Sequence, residues 1–238
     1  MKVEIFIPCF NEEKNIPLLV SSWSEVIDKA KGYNIFVTFI DNGSNDLTKN
    51  ELSTSINASK NYKLRTVIKD NNNGYGSGIM FGVKESSADL VGWAHADLQF
   101  DPGRIIENLN NIIENLDKDG EILIVGERLN RSLIDIIFTK GMSFVVWLFS
   151  RIYIRDINSQ PKIFSISLLE NLNKLPSDFN LDLHIFLKAR KLNYRIIRIK
   201  LSFKDRIFES AKGGGTIYGK IKLTFSVFKY LFDKNFDD

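Results

Sequence analysis

At 238 residues the chain is long enough for one large α/β domain or two small ones. Hydrophobic residues make up 44% and charged residues 26%, the balance of a globular protein, and the single Cys9 excludes an intrachain disulfide and suits a reducing compartment. Net charge is only +3, yet eleven Lys and Arg face two acids between Lys188 and Lys222; no nucleic-acid motif accompanies them, so phosphates or an anionic membrane surface are the expected partners.

Residues 3–8 read as a buried first strand. A turn through Cys9-Phe10-Asn11-Glu12-Glu13 then leads into a helix with Ile16, Leu19, Val20, Trp23, Val26 and Ile27 at helical spacing. Residues 35–40 are a second strand, ending in Asp41-Asn42-Gly43-Ser44-Asn45-Asp46. Strand, turn, helix, strand is a βαβ unit and implies parallel pairing. Carboxylates at such strand ends can accept hydrogen bonds from a uracil or guanine ring and from ribose hydroxyls. Asp46 can equally cap the next helix, and Asp41 can be a turn residue. A third strand, 64–68, precedes the glycine-rich run 71–78 and a helix through Ile79, Phe81, Gly82 and Val83. Glycines before a helix let a phosphate or sugar approach the backbone, although the spacing is not the dinucleotide fingerprint and also suits a tight turn.

Residues 89–94 form a central strand. It runs into Ala94-His95-Ala96-Asp97-Leu98-Gln99, and a helix from Pro102 to Leu116 follows. Extended residues two apart share a face, so His95, Asp97 and Gln99 should point the same way at a strand's carboxyl end. That is where open α/β sheets bind ligands. A carboxylate with neutral oxygens suits a hard divalent ion that also grips substrate phosphates. Solvated strand-exit residues would look the same. Residues 121–126 make another strand, ending at Glu127-Arg128; Arg128 can fork onto phosphate oxygens or be an ordinary surface arginine.

Residues 132–154 are the most apolar part of the chain. Their uncharged core, 141–150, is too short to span a bilayer, which takes about 20 residues. It suits either a core helix or a helix lying in the membrane interface with Trp147 and Arg151 at the headgroups. A polar stretch, 155–164, a helix from Phe179 to Lys191, a strand at 194–203 and a terminal helix at 217–232 complete the order, with Lys220, Lys222 and Lys229 on one flank of the last helix. The expected fold is α/β, a mostly parallel sheet with helices on both faces. The expected division is one domain at 1–215 and a C-terminal amphipathic helix at 216–238 packed on or near it. Met1-Lys2 leads straight into a strand, so no signal peptide is expected.

Ala96-Asp97-Leu98-Gln99, a residue, then Asp101-Pro102 resembles the Asp-Ala-Asp-Leu-Gln-x-Pro-Pro stretch of family 2 glycosyltransferases, especially the branch of dolichyl- or polyprenyl-phosphate sugar transferases. Pro8, Asn11 and Glu12 resemble that family's opening motif. Asp41, Gly43, Ser44 and Asp46 resemble its second motif, Gly74 its glycine loop, and Glu127-Arg128 its Gly-Ser-Arg. Asp156, Gln160 and Lys162 match its acceptor-side motif, with Gln160-Pro161 where a glycine is usual. Arg206 and Lys212 match basic residues that end its catalytic domain.

The resemblance implies a GT-A fold and an inverting transfer of sugar from a UDP- or GDP-linked donor. The acceptor would be a polyprenyl phosphate or a glycan intermediate. It further implies a divalent ion, Mg²⁺ or Mn²⁺, at His95, Asp97 and Gln99, with His95 standing where the family has Asp. Pro8, Asn11, Glu12, Asp41, Ser44, Gly74, Ala96, Asp97, Arg128, Gln160, Lys162 and Lys212 would contact the donor or its phosphates. Arg206 would stabilise charge, and Asp156 or Asp182 would serve as base for a hydroxyl acceptor; a phosphate acceptor needs none. The implied location is cytoplasmic, peripheral on the inner face of the plasma membrane. The alternatives are a non-catalytic relative that binds nucleotide sugar or membrane, and a nucleotidyltransferase.

Overall fold

The computed structural model describes residues 1–116, 120–129, 132–170, 172, 174–204, 207 and 217–233. In chain order the elements are β1 (Lys2–Cys9), α1 (Ile16–Ser24), β2 (Asn34–Asn42), α2 (Thr48–Ser59), β3 (Leu64–Lys69), α3 (Tyr75–Val83) and β4 (Leu90–Trp93). They continue with α4 (Pro102–Glu114), β5 (Ile122–Leu129), α5 (Leu133–Ser150), β6 (Lys162–Ser165), α6 (Ser167–Glu170), α7 (Asn180–Lys191), β7 (Arg195–Ser202) and α8 (Ile217–Phe232). One seven-stranded sheet has the order β3-β2-β1-β4-β6-β5-β7. Every strand runs parallel except β6, which is antiparallel to both neighbours.

Alternation along the strands sends side chains into two apolar layers. Val3, Ile5, Ile7, Ile35, Val37 and Phe39 face the layer covered by α1 and α4. Phe6, Ile40, Val91, Trp93, Leu123 and Val125 face the layer filled from α3, α5, α7 and α8. Helix α4 shows the local logic. Asp101 accepts a hydrogen bond from Gly103 N at 2.8 Å as N-cap, Pro102 occupies the first turn, and Ile105, Ile106 and Leu109 are buried.

The short strand β6 was read from sequence as part of a polar loop. It enters between β4 and β5 because both neighbours offer a glycine where it crosses them. A methyl group at Gly92 would collide with the Lys162 carbonyl, and one at Gly126 with the Gln160 carbonyl.

Helix α5 departs from the core-helix reading of the apolar stretch. Only Met142, Ser143 and Val146 of its eighteen residues are buried. By length and composition it is, among the described residues, the one helix apolar enough to cross a membrane. It lies beside α8, running the same way. Asp135 near its start pairs with Lys220 at 2.6 Å, and Phe149 near its end meets the Phe228 ring edge-on at 5.3 Å. Lys220 is therefore tied to α5 rather than standing on the basic flank expected of it. Leu133, Ile137, Phe144 and Leu148 on α5, and Tyr218, Ile221, Phe225 and Phe232 on α8, remain exposed.

Candidate active site

Strands β1, β2, β3 and β4 run parallel, so their carboxyl ends open on one edge of the sheet. Asp41 and the loop carrying Asp97 therefore share that edge, where such folds bind ligands. Arg206 and Lys212 lie outside the described residues.

The exits of β1 and β2 are laced together. Pro8, half-buried, pairs with Ile40 in the ladder. Buried Asp41 accepts from Ser44 N at 3.1 Å, Ser44 Oγ accepts from Asn11 N at 3.0 Å, and Asn11 Oδ1 accepts from Asn45 N at 2.9 Å. Asn11 holds a left-handed φ of 53°. Glu12 N donates to Thr48 Oγ1 at 2.7 Å, and the Glu12 carbonyl accepts from Asn15 and Ile16 to open α1. Asp46 accepts from Thr48 N, Thr48 Oγ1 and Glu13 N at 3.0, 2.6 and 3.2 Å. Burial raises its carboxyl, but these bonds outweigh that and leave it below the usual range. Asp46 thus latches the two turns.

The glycine-rich run performs packing. Gly74 has φ +108°, and a methyl group there would meet the Ser177 carbonyl; one at Gly76 would meet the Pro176 carbonyl. Ser77 N donates to Ser177 O at 3.0 Å. The glycine spacing allows two uses, a tight turn and a ligand approach; the 176–178 backbone packs against the glycines themselves.

After Trp93 the β ladder stops and Leu98 turns left-handed at φ 58°, so His95, Asp97 and Gln99 sit on a loop rather than on a continued strand. Burial still alternates. Ala94, Ala96, Leu98 and Phe100 enter the apolar layer, while His95, Asp97 and Gln99 between them are half-buried. The Ala96 methyl is therefore core. Asp97 Oδ1 accepts from Gln99 N at 3.3 Å. Gln99 donates through Nε2 to Lys204 O at 3.1 Å, and Lys204 N donates to Gln99 O at 2.8 Å, which ties this loop to the end of β7.

Among the described residues no three His, Cys, Asp or Glu side chains gather as a metal-holding group. Asp97 with His95 suits an ion that takes its remaining ligands from phosphate oxygens and water.

In the loop that precedes β6, Asp156, at φ 55°, receives both arms of Arg128: Nε donates to Oδ2 at 3.1 Å and a terminal nitrogen to Oδ1. The arginine fork thus grips a carboxylate of this chain. Gln160, Lys162 and Asp182, expected at the acceptor, are inside the protein. Lys162 Nζ donates to Ile157 O at 2.8 Å and Ser159 O at 2.9 Å and stands 3.3 Å from Asp182 Oδ1. Burial lowers its pKa, and the Asp182 charge works against that. Asp182 also accepts from Trp93 Nε1 at 2.8 Å and from Gln160 Nε2 at 3.1 Å.

Two members of this cluster were not singled out from sequence. Trp93 carried a signal, since a buried indole N–H needs an acceptor. Tyr75 accepts from Gln160 Nε2 at 3.1 Å, stacks on Phe179 at 4.6 Å and stands 5.8 Å from His95. Burial, with the Asp182 and Asp97 charges, raises its phenol well above the usual value.

A mostly parallel seven-stranded sheet with one antiparallel strand, open at a carboxyl edge that carries an acidic loop, is an α/β architecture of the GT-A kind. The Glycosyl transferase family 2 model matches residues 4–168, and the chain belongs to that family. It is 25% identical, over 97% of its length, to a dolichol-phosphate mannosyltransferase of Pyrococcus furiosus, of which it spans 62%. It is 36% identical, over 43% of its length, to an undecaprenyl-phosphate 4-deoxy-4-formamido-L-arabinose transferase of Aeromonas hydrophila, of which it spans 31%. Among solved structures, a mannosyltransferase of Pyrobaculum calidifontis in complex with GDP-Man and Mn²⁺ superposes with a TM-score of 0.68 at 17% identity, covering 99% of this chain and 64% of that one. Glucosyl-3-phosphoglycerate synthase of Mycobacterium tuberculosis, in complex with Mn²⁺, UDP and glucosyl-3-phosphoglycerate, gives 0.68 at 14% identity, covering 97% and 77%.

Proposed function

We propose that the chain transfers a sugar, with inversion, from a nucleoside-diphosphate sugar to a polyprenyl phosphate at a membrane surface. The observation that carries the acceptor is the pair of exposed apolar faces on α5 and α8. Helix α5 ends at Ser150, just before the loop bearing Asp156. Apolar helix faces rimmed by Lys140, Arg151 and Lys222 suit reversible binding to an anionic surface, on the cytoplasmic side. The names of the Pyrococcus and Aeromonas relatives point to the same acceptor class.

In this reading the laced turns of β1 and β2, with Asp41, receive the nucleoside. Asp97 and His95 hold a divalent ion, Mg²⁺ or Mn²⁺. A bound ion would neutralise charge on the departing diphosphate. Arg128, oriented by Asp156, offers its remaining N–H groups to phosphate oxygens. A phosphate acceptor is already an anion at neutral pH, so the transfer asks no side chain to remove a proton.

The test has two parts: calorimetry with UDP and GDP, with and without Mn²⁺, and transfer of labelled sugar from a panel of UDP- and GDP-sugars to polyprenyl phosphate in vesicles. Lipid-extractable label is the expected result. Nucleotide binding without such transfer to the lipid would shift the reading to a soluble or glycan acceptor, and no binding at all would refute it.

A further inference from the structure

Both carboxylates that sequence offered as a general base are committed to other groups. Asp156 holds Arg128. Asp182, in the first turn of α7, is 1% exposed and takes Trp93 Nε1, Gln160 Nε2 and the Lys162 ammonium. Lys162 is 0% exposed and divides its donors between Asp182 and the carbonyls of Ile157 and Ser159. A base must reach the proton it takes. Asp182 is enclosed by donors and out of contact with solvent.

The position of the pair is informative. Trp93 is the last residue of β4, and the loop with His95 and Asp97 begins at the next residue. Ile157 and Ser159 belong to the loop that carries Asp156 and, through it, Arg128. Gln160 Nε2 reaches both Asp182 and the Tyr75 hydroxyl, and the Tyr75 ring adjoins His95. One buried ion pair, with Gln160, therefore joins the seat of the Asp97 loop, the Asp156 loop, the start of α3 and the start of α7.

We propose that Asp182 and Lys162 are a positioning pair: they hold the Asp97 loop in register with the Asp156 loop that grips Arg128, and neither touches a substrate. The inference rests on the reading of this cleft as a sugar-transfer centre.

Asp182→Asn is nearly isosteric and keeps an acceptor for Trp93, but it leaves Lys162 without its counter-charge. The double variant Asp182→Asn/Lys162→Met removes both charges, and replacing a buried pair as a unit is far better tolerated than breaking it. Gln160→Met cuts one link and leaves both charges in place. Each is compared with wild type in melting temperature, UDP and GDP binding with Mn²⁺, and the pH profile of kcat for transfer to polyprenyl phosphate in vesicles.

For the double variant the expectation is near-wild-type nucleotide affinity with kcat lower by about 10- to 100-fold, the scale of a small misplacement of reacting groups. The acid limb of the profile, set by the acceptor phosphate's second ionisation near about pH 6, should persist in Asp182→Asn. Gln160→Met should lose less kcat and keep its nucleotide affinity, and it decides the matter if the double variant does not fold. Loss of the acid limb in Asp182→Asn would make Asp182 a base and overturn the proposal. So would wild-type kcat in the double variant or, should that not fold, in Gln160→Met. Wild-type protein that binds neither nucleotide would instead bring down the functional reading, and this inference with it.

Discussion

Replacing Phe225 and Phe232 on α8 with Ser tests the membrane face directly. The two rings are 67% and 66% exposed in the free protein. Burying a whole Phe side chain is worth about 1.5–3 kcal/mol, so the exposed two-thirds of each is worth about 1–2 kcal/mol on entering a bilayer interface. Together the substitutions should weaken vesicle binding by about 2–4 kcal/mol, or roughly 30-fold to several hundred-fold. Both rings stack only loosely on Phe228, at 6.4 and 6.0 Å, so the fold should survive. The assay is co-sedimentation with liposomes of graded anionic lipid content at low and high salt. Lys140, Arg151 and Lys222 are exposed on or beside these faces and should add about 1 kcal/mol each at low salt. Lys220 should add little, because it is paired with Asp135. Vesicle partitioning of the double variant within about threefold of wild type, with melting unchanged, would refute the reasoning.

Other expectations follow from single residues. Burial first, then Lys188 and Lys191, pushes His184 down to about 4. The unfolded ring takes its proton near about 6.5, so this contribution is complete above that pH and is lost as pH falls towards 4, costing about 2 kcal/mol by roughly pH 5. Urea unfolding of wild type and His184→Gln between pH 7 and 5 should diverge accordingly; parallel curves would count against it. Gly126→Ala drives a methyl group into the Gln160 carbonyl; overpacking of about 1–3 kcal/mol lowers Tm by about 2–12 °C, and an unchanged Tm would show that β6 can yield. His95→Asp replaces an imidazole with a harder oxygen donor and should raise the Mg²⁺/Mn²⁺ activity ratio. An unaltered ratio would remove His95 from the ion's surroundings.

The sequence by itself determined the elements whose signals are local. The apolar runs of β1 and β2, the Pro102 start of α4 and its Ile105, Ile106, Leu109 spacing depend on residues a few positions apart, and each formed as read. The motif residues at the ends of β1, β2 and β4 were legible for the same reason. Only the tertiary structure decided what Lys162, Asp182, Gly74 and α5 do. Lys162 reads from its motif as a contact to donor phosphates, because nothing near it in sequence shows that Gly92 and Gly126 admit its strand between β4 and β5. A buried ammonium is tolerable only with its donors satisfied, and its partners come from Ile157, Ser159 and Asp182. That Gly74 packs against the 176–178 backbone depends on a segment about a hundred residues away in the chain. For α5, composition fixed an apolar helix, but which side meets the core depended on where α8, some 70 residues later, came to lie. Burial is a property of neighbours in space, and those neighbours are distant in the chain.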